Sequence, residues 1–303
     1  MPYEEYYDDD CGYDNDYYEE DDYREFDYGW VNESDRNPIF RFYQTKNDIK
    51  NPLYMGFELE IDKGGKDDDV AYEICLQLNN QVYCKDDGSL DDGIEIVSHP
   101  STLNFHTEQK ETYKKVFDYL IDINYKSHDT NTCGLHIHVN RSFFGISKEE
   151  IDYNVAKIIF IFEKFWDKFV IFSRRREIKL KEWAKRYDLD INENFLDNLN
   201  IAKKEYSRYF AVNITNTDTI EFRMFRGTLN VDTFMATLQL INTICNFVKN
   251  TDIEKIQLCC FDRIVKNNFK ELNEYLQRKN LKEIFYEGEE ILKTPSLLEE
   301  ELC

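Results

Sequence analysis

Residues 132–141, with the sequence TCGLHIHVNR, most strongly constrain how this chain can fold. Small and apolar residues alternate there with His136 and His138. Side chains of a β-strand point alternately to opposite faces of a sheet, so the pattern predicts a half-buried strand with both imidazoles on one face. Two imidazoles so placed can bind one metal ion or two adjacent ions. They can equally form the polar side of an ordinary strand.

Three other segments show the same alternation of polar and apolar residues. They contain Glu58 and Glu60 in 53–61, Glu95 in 93–98, and Glu221 and Arg223 in 219–225, with Arg226 just beyond. A strand at 82–85 precedes the turn sequence DDGSLDD, which predicts a hairpin with the segment 93–98. The chain therefore offers at least four strands whose polar positions carry Glu, His or Arg.

Helical periodicity separates these strands. It covers 67–81, 102–124, 147–172 and 231–249, and further helices are expected after 253. Ser147 and Glu150 have the S-x-x-E spacing of a capping box, which predicts the start of the third helix. Interleaved helices and hairpins predict an α+β fold, with a largely antiparallel sheet and helices packed on one face. The motifs GxGxxG and GxxxxGK[ST] are absent, which argues against dinucleotide-binding and P-loop folds.

The first 35 residues form an acidic, tyrosine-rich segment that we expect to be a disordered tail. Residues 1–30 contain 13 acidic residues, one basic residue and eight tyrosines, and such a charge density disfavours a packed core. The tail could simply solvate the chain, or it could contact a protein partner. We expect a catalytic domain at 36–250 and a helical extension of the same domain at 251–303.

The overall charge excludes some classes of partner. The 303 residues carry a net charge of −22, whereas general binding to nucleic acid or anionic membranes depends on Lys and Arg. The sequence shows no signal peptide and no uncharged apolar run of the ~18 residues that a membrane span needs. The eight cysteines contain no CxxC pair, as expected in a reducing compartment. We therefore expect a cytoplasmic protein without nucleic-acid or membrane partners.

The polar residues of the four strands suggest a chemistry if the strands share one sheet. One face would then carry four carboxylates and two imidazoles beside arginines. Clustered carboxylates repel one another unless cations lie between them, and Glu with His suits Mg²⁺ or Mn²⁺. Planar guanidinium groups match phosphate, and metal plus arginine is what phosphoryl transfer from a nucleotide needs. Each strand alone could still present an ordinary solvent face.

Four short segments resemble, in order, the motifs of the amidoligase family: GFELE (56–60), DGSL with EIVSHP (87–100), CGLHIHV (133–139) and IEFRMFRGT (220–228). This family is similar to glutamine synthetase and glutamate–cysteine ligase, so the resemblance implies a glutamine synthetase-like catalytic sheet. It also implies an enzyme that joins a carboxylate substrate to an amine substrate. The implied cofactors are ATP and Mg²⁺ (or Mn²⁺), and the implied intermediate is an acyl phosphate. The substrates could be amino acids, peptides or protein side chains.

The resemblance also implies a role for each polar position. The implied metal ligands are Glu58, Glu60, Glu95, His138 and Glu221. His136 and His138 would lie beside the nucleotide phosphates, and Arg223 and Arg226 would contact those phosphates during catalysis. Asp87 would lie near the incoming amine and help to deprotonate it. The Asp-Gly pair at this position is also the usual residue choice of a hairpin turn.

Other functions stay open at this point. The chain could be a non-catalytic scaffold that keeps the fold, or a metal-dependent hydrolase or cupin-like oxygenase built on the HxH strand. Cys133 invites a nucleophile hypothesis, although ligation needs no thiol, and a small buried residue is the simpler interpretation. Asn140 and Arg141 end the strand and could reach a substrate. His106 and His128 are expected at the surface.

Overall fold

A computed structural model describes residues 30–31, 40–128 and 130–282 of the protein. The predicted acidic tail therefore lies outside the described residues, except for the short strand Trp30–Val31. Residues 283–303 of the predicted helical extension lie outside them as well. In the part that the structure describes, no helix combines the length and apolar character needed to cross a membrane.

The described residues form eight strands and eleven α-helices. The strands are β1 Trp30–Val31, β2 Tyr54–Asp62, β3 Val82–Lys85, β4 Gly93–Ser98, β5 Ser101–Thr102, β6 Gly134–Asn140, β7 Val212–Asn213 and β8 Thr219–Arg226. The helices are α1 Asp68–Gln77, α2 Leu103–Glu108, α3 Lys110–Asp122, α4 Lys148–Lys164, α5 Trp166–Ser173, α6 Glu177–Trp183, α7 Phe195–Ala202, α8 Val231–Lys249, α9 Ile253–Leu258, α10 Phe261–Ile264 and α11 Lys270–Arg278.

All eight strands belong to one sheet. Their order is β1-β3-β4-β2-β6-β8-β7, and β5 pairs with β2. β1 pairs with β3 in parallel, and the other neighbouring strands are antiparallel. The predicted α+β fold with a largely antiparallel sheet is therefore confirmed. Because β2, β6 and β8 are neighbours in space but distant in sequence, their polar residues meet at the centre of the sheet.

One face of the sheet packs against helices. Alternate residues of the three central strands are buried there, namely Phe57, Leu59, Ile61, Leu135, Ile137, Val139, Ile220 and Phe222. The Phe57 ring lies 5.0 Å from that of Phe234 on α8, and the Phe222 ring lies 5.4 Å from that of Phe162 on α4. Each fully buried side chain of this kind contributes ~1.5–3 kcal/mol to stability. This face supplies most of the burial that orients the strands.

Two of the predicted long helices are each divided into two. α2 and α3 meet at Gln109, and α4 and α5 meet at Phe165. At the second junction, Lys164 Nζ donates a hydrogen bond to the Gln257 carbonyl oxygen at 2.6 Å, and the Phe165 ring packs 5.6 Å from that of Phe261. The break between α4 and α5 therefore lies where these helices contact α9 and α10. Apolar residues continue across it, so the local sequence pattern does not show it.

The prediction that His106 lies at the surface is wrong, whereas His128 is exposed. His106 Nδ1 lies 2.8 Å from the Tyr113 hydroxyl oxygen, and Nε2 lies 3.1 Å from the Met55 carbonyl oxygen. Burial lowers the pKa of His106 to about 4, so its imidazole is neutral at physiological pH. The hydrogen bonds of both ring nitrogens allow a polar side chain to occupy the core.

Candidate active site

The opposite face of the sheet carries the polar residues of β2, β4, β6 and β8. The strand register creates three cross-strand pairs, namely Glu60–Glu95, Glu58–His136 and His138–Glu221. Cross-strand neighbours on one face have Cβ atoms about 4.5–5.5 Å apart. The structure therefore brings these six side chains into one group, which we call the carboxylate–histidine cluster.

A bulge in β8 determines which arginines share this face. β8 has one extra residue where it passes His136 of β6. Such an insertion changes the alternation of side chains along a strand. As a result, Arg226 instead of Phe225 continues the polar face, opposite Gly134. Simple period-two alternation through Glu221 and Arg223 would have placed Phe225 there.

The two histidines lie between Glu58 and Glu221. His136 Nδ1 is 3.1 Å from Glu58 Oε2 and 3.6 Å from Glu221 Oε1. His138 Nε2 is 3.2 Å from Glu58 Oε1 and 3.8 Å from Glu221 Oε1. His138 Nδ1 lies 3.2 Å from the Thr219 hydroxyl oxygen, a contact that orients the ring. Nε2 is thereby directed into the cluster.

Two neighbours hold the Glu221 carboxylate in place. Asn213 Nδ2 donates to Glu221 Oε2 at 2.8 Å, and Arg223 Nη1 donates to Glu221 Oε1. The Arg223 guanidinium lies over the Tyr209 ring, 5.8 Å from its centroid. Its buried Nε has no hydrogen-bond partner among the described residues. Glu221 and Tyr209 therefore hold the Arg223 side chain in place, while its Nε remains able to donate a hydrogen bond to a ligand.

Burial and mutual repulsion alter the acidity of the cluster. Burial raises the pKa of Glu60, and burial with the charge of Glu58 raises the pKa of Glu95 well above its usual range. Burial would also raise the pKa of Glu58, but His138 and His136 outweigh it and hold that pKa well below its usual range. Against the effect of burial, Glu58 raises the pKa of His138 to about 9. Protons thus balance part of the negative charge, and a divalent cation would replace them.

Three overlapping groups of side chains could each hold a cation. They are Glu58–Glu95–His136, Glu58–His138–Glu221 and Glu60–Asp87–Glu95, and within each group one ligand atom per residue lies within 4.8 Å of the others. The buried His138 Nε2 forms no well-directed hydrogen bond, although Glu58 is near. Carboxylate oxygens with an imidazole suit Mg²⁺ or Mn²⁺. The residues therefore fit the divalent cation that the sequence suggested.

Gly134 leaves space beside the cluster that a side chain would fill. A Cβ atom at this position would lie 2.9 Å from His136 Nε2, 3.2 Å from Arg175 Nη2 and 3.4 Å from Glu60 Oε2. The Gly134 N–H also donates a hydrogen bond to Glu60 Oε2. A side chain at this position would therefore displace the His136 imidazole and press on the Arg175 guanidinium.

A cavity of about 210 Å³ opens over Glu58, Glu60, Glu95 and His136 of the carboxylate–histidine cluster, and we call it the main cavity. His138 and Glu221 lie beside these residues but outside the lining. Its lining combines acidic, basic and aromatic side chains, chiefly Glu58, Glu60, Asp87, Glu95, Lys85, His136, Arg175, Lys179, Arg208, Arg223, Trp183 and Tyr209. A pocket with opposite charges on its walls can bind a cation and an anion side by side. That is the requirement for a reaction between a metal-bound phosphate and a second polar substrate.

Asp87 lies in the turn between β3 and β4 and also lines the main cavity. Its Oδ1 accepts a hydrogen bond from the Ser89 N–H at 2.6 Å, which stabilises the turn between β3 and β4. Its carboxylate also lines the main cavity and lies close to Glu60 and Glu95. The turn thus fixes Asp87 at the acidic wall.

Several lining residues were not assigned from the sequence. Lys85 Nζ lies 3.3 Å from Glu95 Oε2, and the alternation of β3 beside β4 could have revealed this pair. Arg175 and Lys179 belong to a basic stretch that was visible in the sequence. Nothing in its local pattern indicated that this stretch would fold onto β8. Arg226, a predicted phosphate contact, lies outside the lining of the main cavity and borders a smaller adjoining cavity.

The remaining candidates near the HxH strand have structural contacts. Burial raises the pKa of Cys133 to about 12, so its thiol is protonated and a poor nucleophile. Asn140 Oδ1 accepts a hydrogen bond from the Tyr54 N–H at 2.8 Å. Arg141 donates to the carbonyl oxygens of Ile214 at 2.6 Å and Asn216 at 3.0 Å. Asn140 therefore fixes the start of β2, and Arg141 fixes the turn between β7 and β8.

The fold and the site define an α+β protein whose sheet presents a metal-competent carboxylate–histidine cluster beside arginines. The chain belongs to the amidoligase family, because the family model described as "Putative amidoligase enzyme" matches residues 75–245, more than half of its length. The match includes Glu95, both histidines of the HxH strand, and β8, whereas β2 precedes it. No curated protein matched the chain. The family match supports a ligase function.

Proposed function

We propose that this protein is an ATP- and Mg²⁺-dependent ligase that joins a carboxylate to an amine through an acyl phosphate. The observation that carries the proposal is that metal-competent groups of Glu58, Glu95, His136 and their neighbours share one cavity with arginines. A carboxylate is a poor acyl donor because its leaving group would be oxide. Phosphorylation provides a far better leaving group. Membership of the amidoligase family supports the same reaction class.

The carboxylate–histidine cluster would hold the divalent cations. Glu58 and Glu95 with His136, and Glu58 and Glu221 with His138, offer ligand atoms close to one another. When bound, Mg²⁺ or Mn²⁺ would neutralise phosphate oxygens of ATP and favour phosphoryl transfer. The Thr219 hydroxyl orients the His138 ring from behind, and such outer contacts strengthen metal binding.

Arg223 is suited to stabilise the phosphoryl group during its transfer. In this step an oxygen of the substrate carboxylate attacks the γ-phosphorus of ATP, and ADP leaves. Arg223 lines the main cavity with a buried Nε that lacks a hydrogen-bond partner in the described structure. Its planar donors match the oxygens that gain charge in the transition state.

Asp87 is suited to accept the proton of the amine. An amine attacks only in its neutral form, yet most amines are protonated at pH 7, so a general base is needed. The acidic wall formed with Glu60 and Glu95 attracts the cationic form. The cationic amine first transfers one proton to Asp87. The lone pair of the neutral nitrogen then attacks the acyl carbon, the phosphate leaves, and the nitrogen passes a second proton to the leaving phosphate.

Hydroxylamine provides a direct test of this mechanism. The full-length protein would be incubated with MgCl₂, ATP, hydroxylamine and a panel of carboxylic acids. We expect ADP release together with a hydroxamate, whose mass identifies the acid. A metal-dependent hydrolase would use the cluster without consuming ATP, and a scaffold would neither release ADP nor require the cation.

Matched variants connect the activity with the site. We expect Glu60→Gln and His138→Ala to lower hydroxamate formation at least ~100-fold, because each removes a ligand whose loss also affects its neighbours. Glu274→Gln on α11 and His128→Ala, both at exposed positions, make the same chemical changes away from the site and should retain activity. Full activity of Glu60→Gln or His138→Ala would reject the site assignment.

A further inference from the structure

Two cysteine side chains are in contact where α1 packs against β3. Cys75 lies in the last turn of α1 and Cys84 lies on β3, and their sulfur atoms are 4.0 Å apart. Cys84 Sγ also lies 3.7 Å from the Ala71 carbonyl oxygen. Both side chains are fully buried. The fold therefore holds two thiols side by side within its hydrophobic core.

The turn after α1 brings the two cysteines together. Asn79 and Asn80 have φ values of 50° and 54°, a left-handed conformation that asparagine tolerates better than most residues. The Asn80 N–H donates a hydrogen bond to the Cys75 carbonyl oxygen at 2.8 Å. β3 then pairs with β4 in an antiparallel register that sets Cys84 opposite Ile96. The two sulfur atoms are thus neighbours because of the path of the backbone.

The surroundings of this pair favour a reaction between thiols over a metal site. None of the described groups that can hold a cation includes either cysteine. The hydrogen bond with Cys84 lowers the pKa of Cys75 against the effect of burial, and the same hydrogen bond together with burial raises the pKa of Cys84 well above its usual range. The thiolate is the nucleophile in thiol oxidation, and a neighbouring thiol converts the product into a disulfide. Cys75 therefore suits the attacking role and Cys84 the second role.

A disulfide bond requires only a small displacement of the two sulfur atoms. The bond length is about 2.05 Å, so each sulfur would move by roughly 1 Å from the observed separation. The outward side of α1 carries Tyr72 and Leu76, each 50% exposed. Local opening of a helix with one side in water admits a small oxidant to the buried thiols.

We propose that Cys75 and Cys84 form a redox modification site, in which a peroxide converts the two thiols into a disulfide that joins α1 to β3. The Cys75 thiolate attacks one oxygen of hydrogen peroxide, the O–O bond breaks, and a sulfenic acid forms as hydroxide leaves. The Cys84 sulfur then attacks the sulfenic sulfur, the S–O bond breaks, and the oxygen leaves as water with the Cys84 proton. Together the thiols lose two electrons and two protons, and the peroxide becomes two molecules of water. This inference does not depend on the proposed ligase reaction.

The disulfide would stabilise a part of the fold that supports one wall of the main cavity. Lys85 directly follows Cys84, lines the main cavity and lies 3.3 Å from Glu95 Oε2. A cross-link between Cys75 and Cys84, which are nine positions apart, restricts the unfolded chain more than the folded one. Oxidation would therefore keep β3 and its lysine in place under conditions that unfold the reduced protein.

Peptide mapping of the full-length protein tests whether the bond forms. Trypsin cleaves after Lys66 and Lys85, so both cysteines lie in one peptide, residues 67–85. The protein is reduced, freed of reductant, treated with hydrogen peroxide, and then unfolded in the presence of an alkylating agent. We expect this peptide to lose the mass of two hydrogen atoms and to take up no alkyl group, whereas without peroxide it takes up two. Two alkyl groups after peroxide treatment, or cysteine sulfonic acid without the cross-link, would overturn the proposal.

Thermal denaturation tests whether the bond stabilises the fold. We expect peroxide to raise the melting temperature of the wild type by about 5 °C, and added reductant to reverse the change. Cys75→Ala and Cys84→Ala should each lack this shift, so the test remains valid if one of them fails to fold. Cys260→Ser, at an exposed position, should show the full shift. An equal shift in the alanine variants, or none in a wild type that carries the mapped disulfide, would show that the pair is not a stabilising cross-link.

Discussion

The two faces of the sheet affect the same residue type in opposite ways, as two histidines illustrate. His106 lies beside Phe57 on the helix-covered face, where burial lowers its pKa to about 4. His138 lies on the polar face, where Glu58 raises its pKa to about 9 against the effect of burial. Burial therefore sets the direction of a pKa shift only where no opposite charge is close. A histidine next to a buried carboxylate is held ready to exchange its proton for a metal.

The same contrast exists within single strands. Phe57, Leu59 and Ile61 of β2 are buried among apolar side chains, whereas Glu58 and Glu60 between them face the carboxylate–histidine cluster. Packing on one face stabilises the strand by an amount that can offset the repulsion among carboxylates on the other. The clustered carboxylates of the polar face favour cation binding but lower the stability of the fold. Packing on the helix-covered face compensates for this loss.

Adjacent residues of β2 provide the strongest test of this division. Leu59→Ala should lower the free energy of unfolding by ~2–5 kcal/mol, because it leaves a cavity in a fully buried site. Glu60→Gln should stay within about 1 kcal/mol of the wild type, because burial already favours the uncharged form of this group. Urea denaturation measures both values. If Glu60→Gln proved as destabilising as Leu59→Ala, the two faces would not differ in the way described.

The pH dependence of stability should have opposite signs on the two faces. Folding raises the pKa of His138 from about 6.5 to about 9, so its stabilising contribution is complete below pH 6.5 and is lost as the pH rises through 9. Folding lowers the pKa of His106 to about 4. The contribution of His106 is therefore complete above pH 6.5 and is lost as the pH falls towards 4.

Denaturation of the metal-free protein in EDTA between pH 4 and pH 9.5 measures both effects. We expect His138 to contribute a loss on the order of 3 kcal/mol on the alkaline side, and His138→Gln should remove this part. The raised pKa values of Glu60 and Glu95 should leave a smaller loss in the variant. His106→Gln should flatten only the acidic side. Added Mg²⁺ should stabilise the protein more at pH 9 than at pH 6.5, because a ligating imidazole must be neutral. A Mg²⁺ effect that was larger at pH 6.5 would show that His138 does not bind the cation.

Two glycines on the polar face allow a smaller effect to be measured. Gly134→Ala would place a methyl group 2.9 Å from His136 Nε2, so we expect about tenfold weaker Mn²⁺ binding, the lower end of what displaced ligand contacts cost. Gly56→Ala is the matched control, since its nearest contact would be an ordinary 3.5 Å to the Ser98 carbonyl oxygen. Electron paramagnetic resonance of bound Mn²⁺ measures both affinities. Equal affinities would mean that the space beside Gly134 is unimportant for the cation.

The sequence predicted best those features that depend on local patterns. β3, β4 and α8 occur at the predicted residues, because alternation, turn residues and an amphipathic repeat are visible within one segment. The six residues of the carboxylate–histidine cluster came from the same alternation, extended to strands far apart in the chain. Their assembly depended on assuming one shared sheet, an assumption that the observed strand order supports.

Features that depend on tertiary contacts could not be predicted in this way. The extra residue of β8 places Arg226 on the polar face of the sheet. No local signal in the sequence distinguishes a bulged strand from a regular one. Arg175 contacts the backbone of β8 from a segment about 50 residues earlier, so its role depends on how α5 ends. Asn213 of β7 donates a hydrogen bond to Glu221 of β8. The sequence did not indicate this contact, because an asparagine next to a turn is common.

The smallest predicted effect lies away from the polar face, at the start of α4. Ser147 Oγ accepts a hydrogen bond from the Glu150 N–H at 3.2 Å, and the Glu150 carboxylate accepts one from the Ile146 N–H at 2.8 Å. Ser147→Ala should lower the free energy of unfolding by about 1 kcal/mol, because it removes the side-chain cap of a helix that packs on the apolar face. Glu150→Gln keeps an acceptor and should change stability by only a few tenths of a kcal/mol. Thermal denaturation and the hydroxylamine assay should show a lower melting temperature for Ser147→Ala with unchanged turnover. A loss of turnover at full stability would mean that α4 influences the polar face directly, and the division between a stabilising face and a chemical face would then fail.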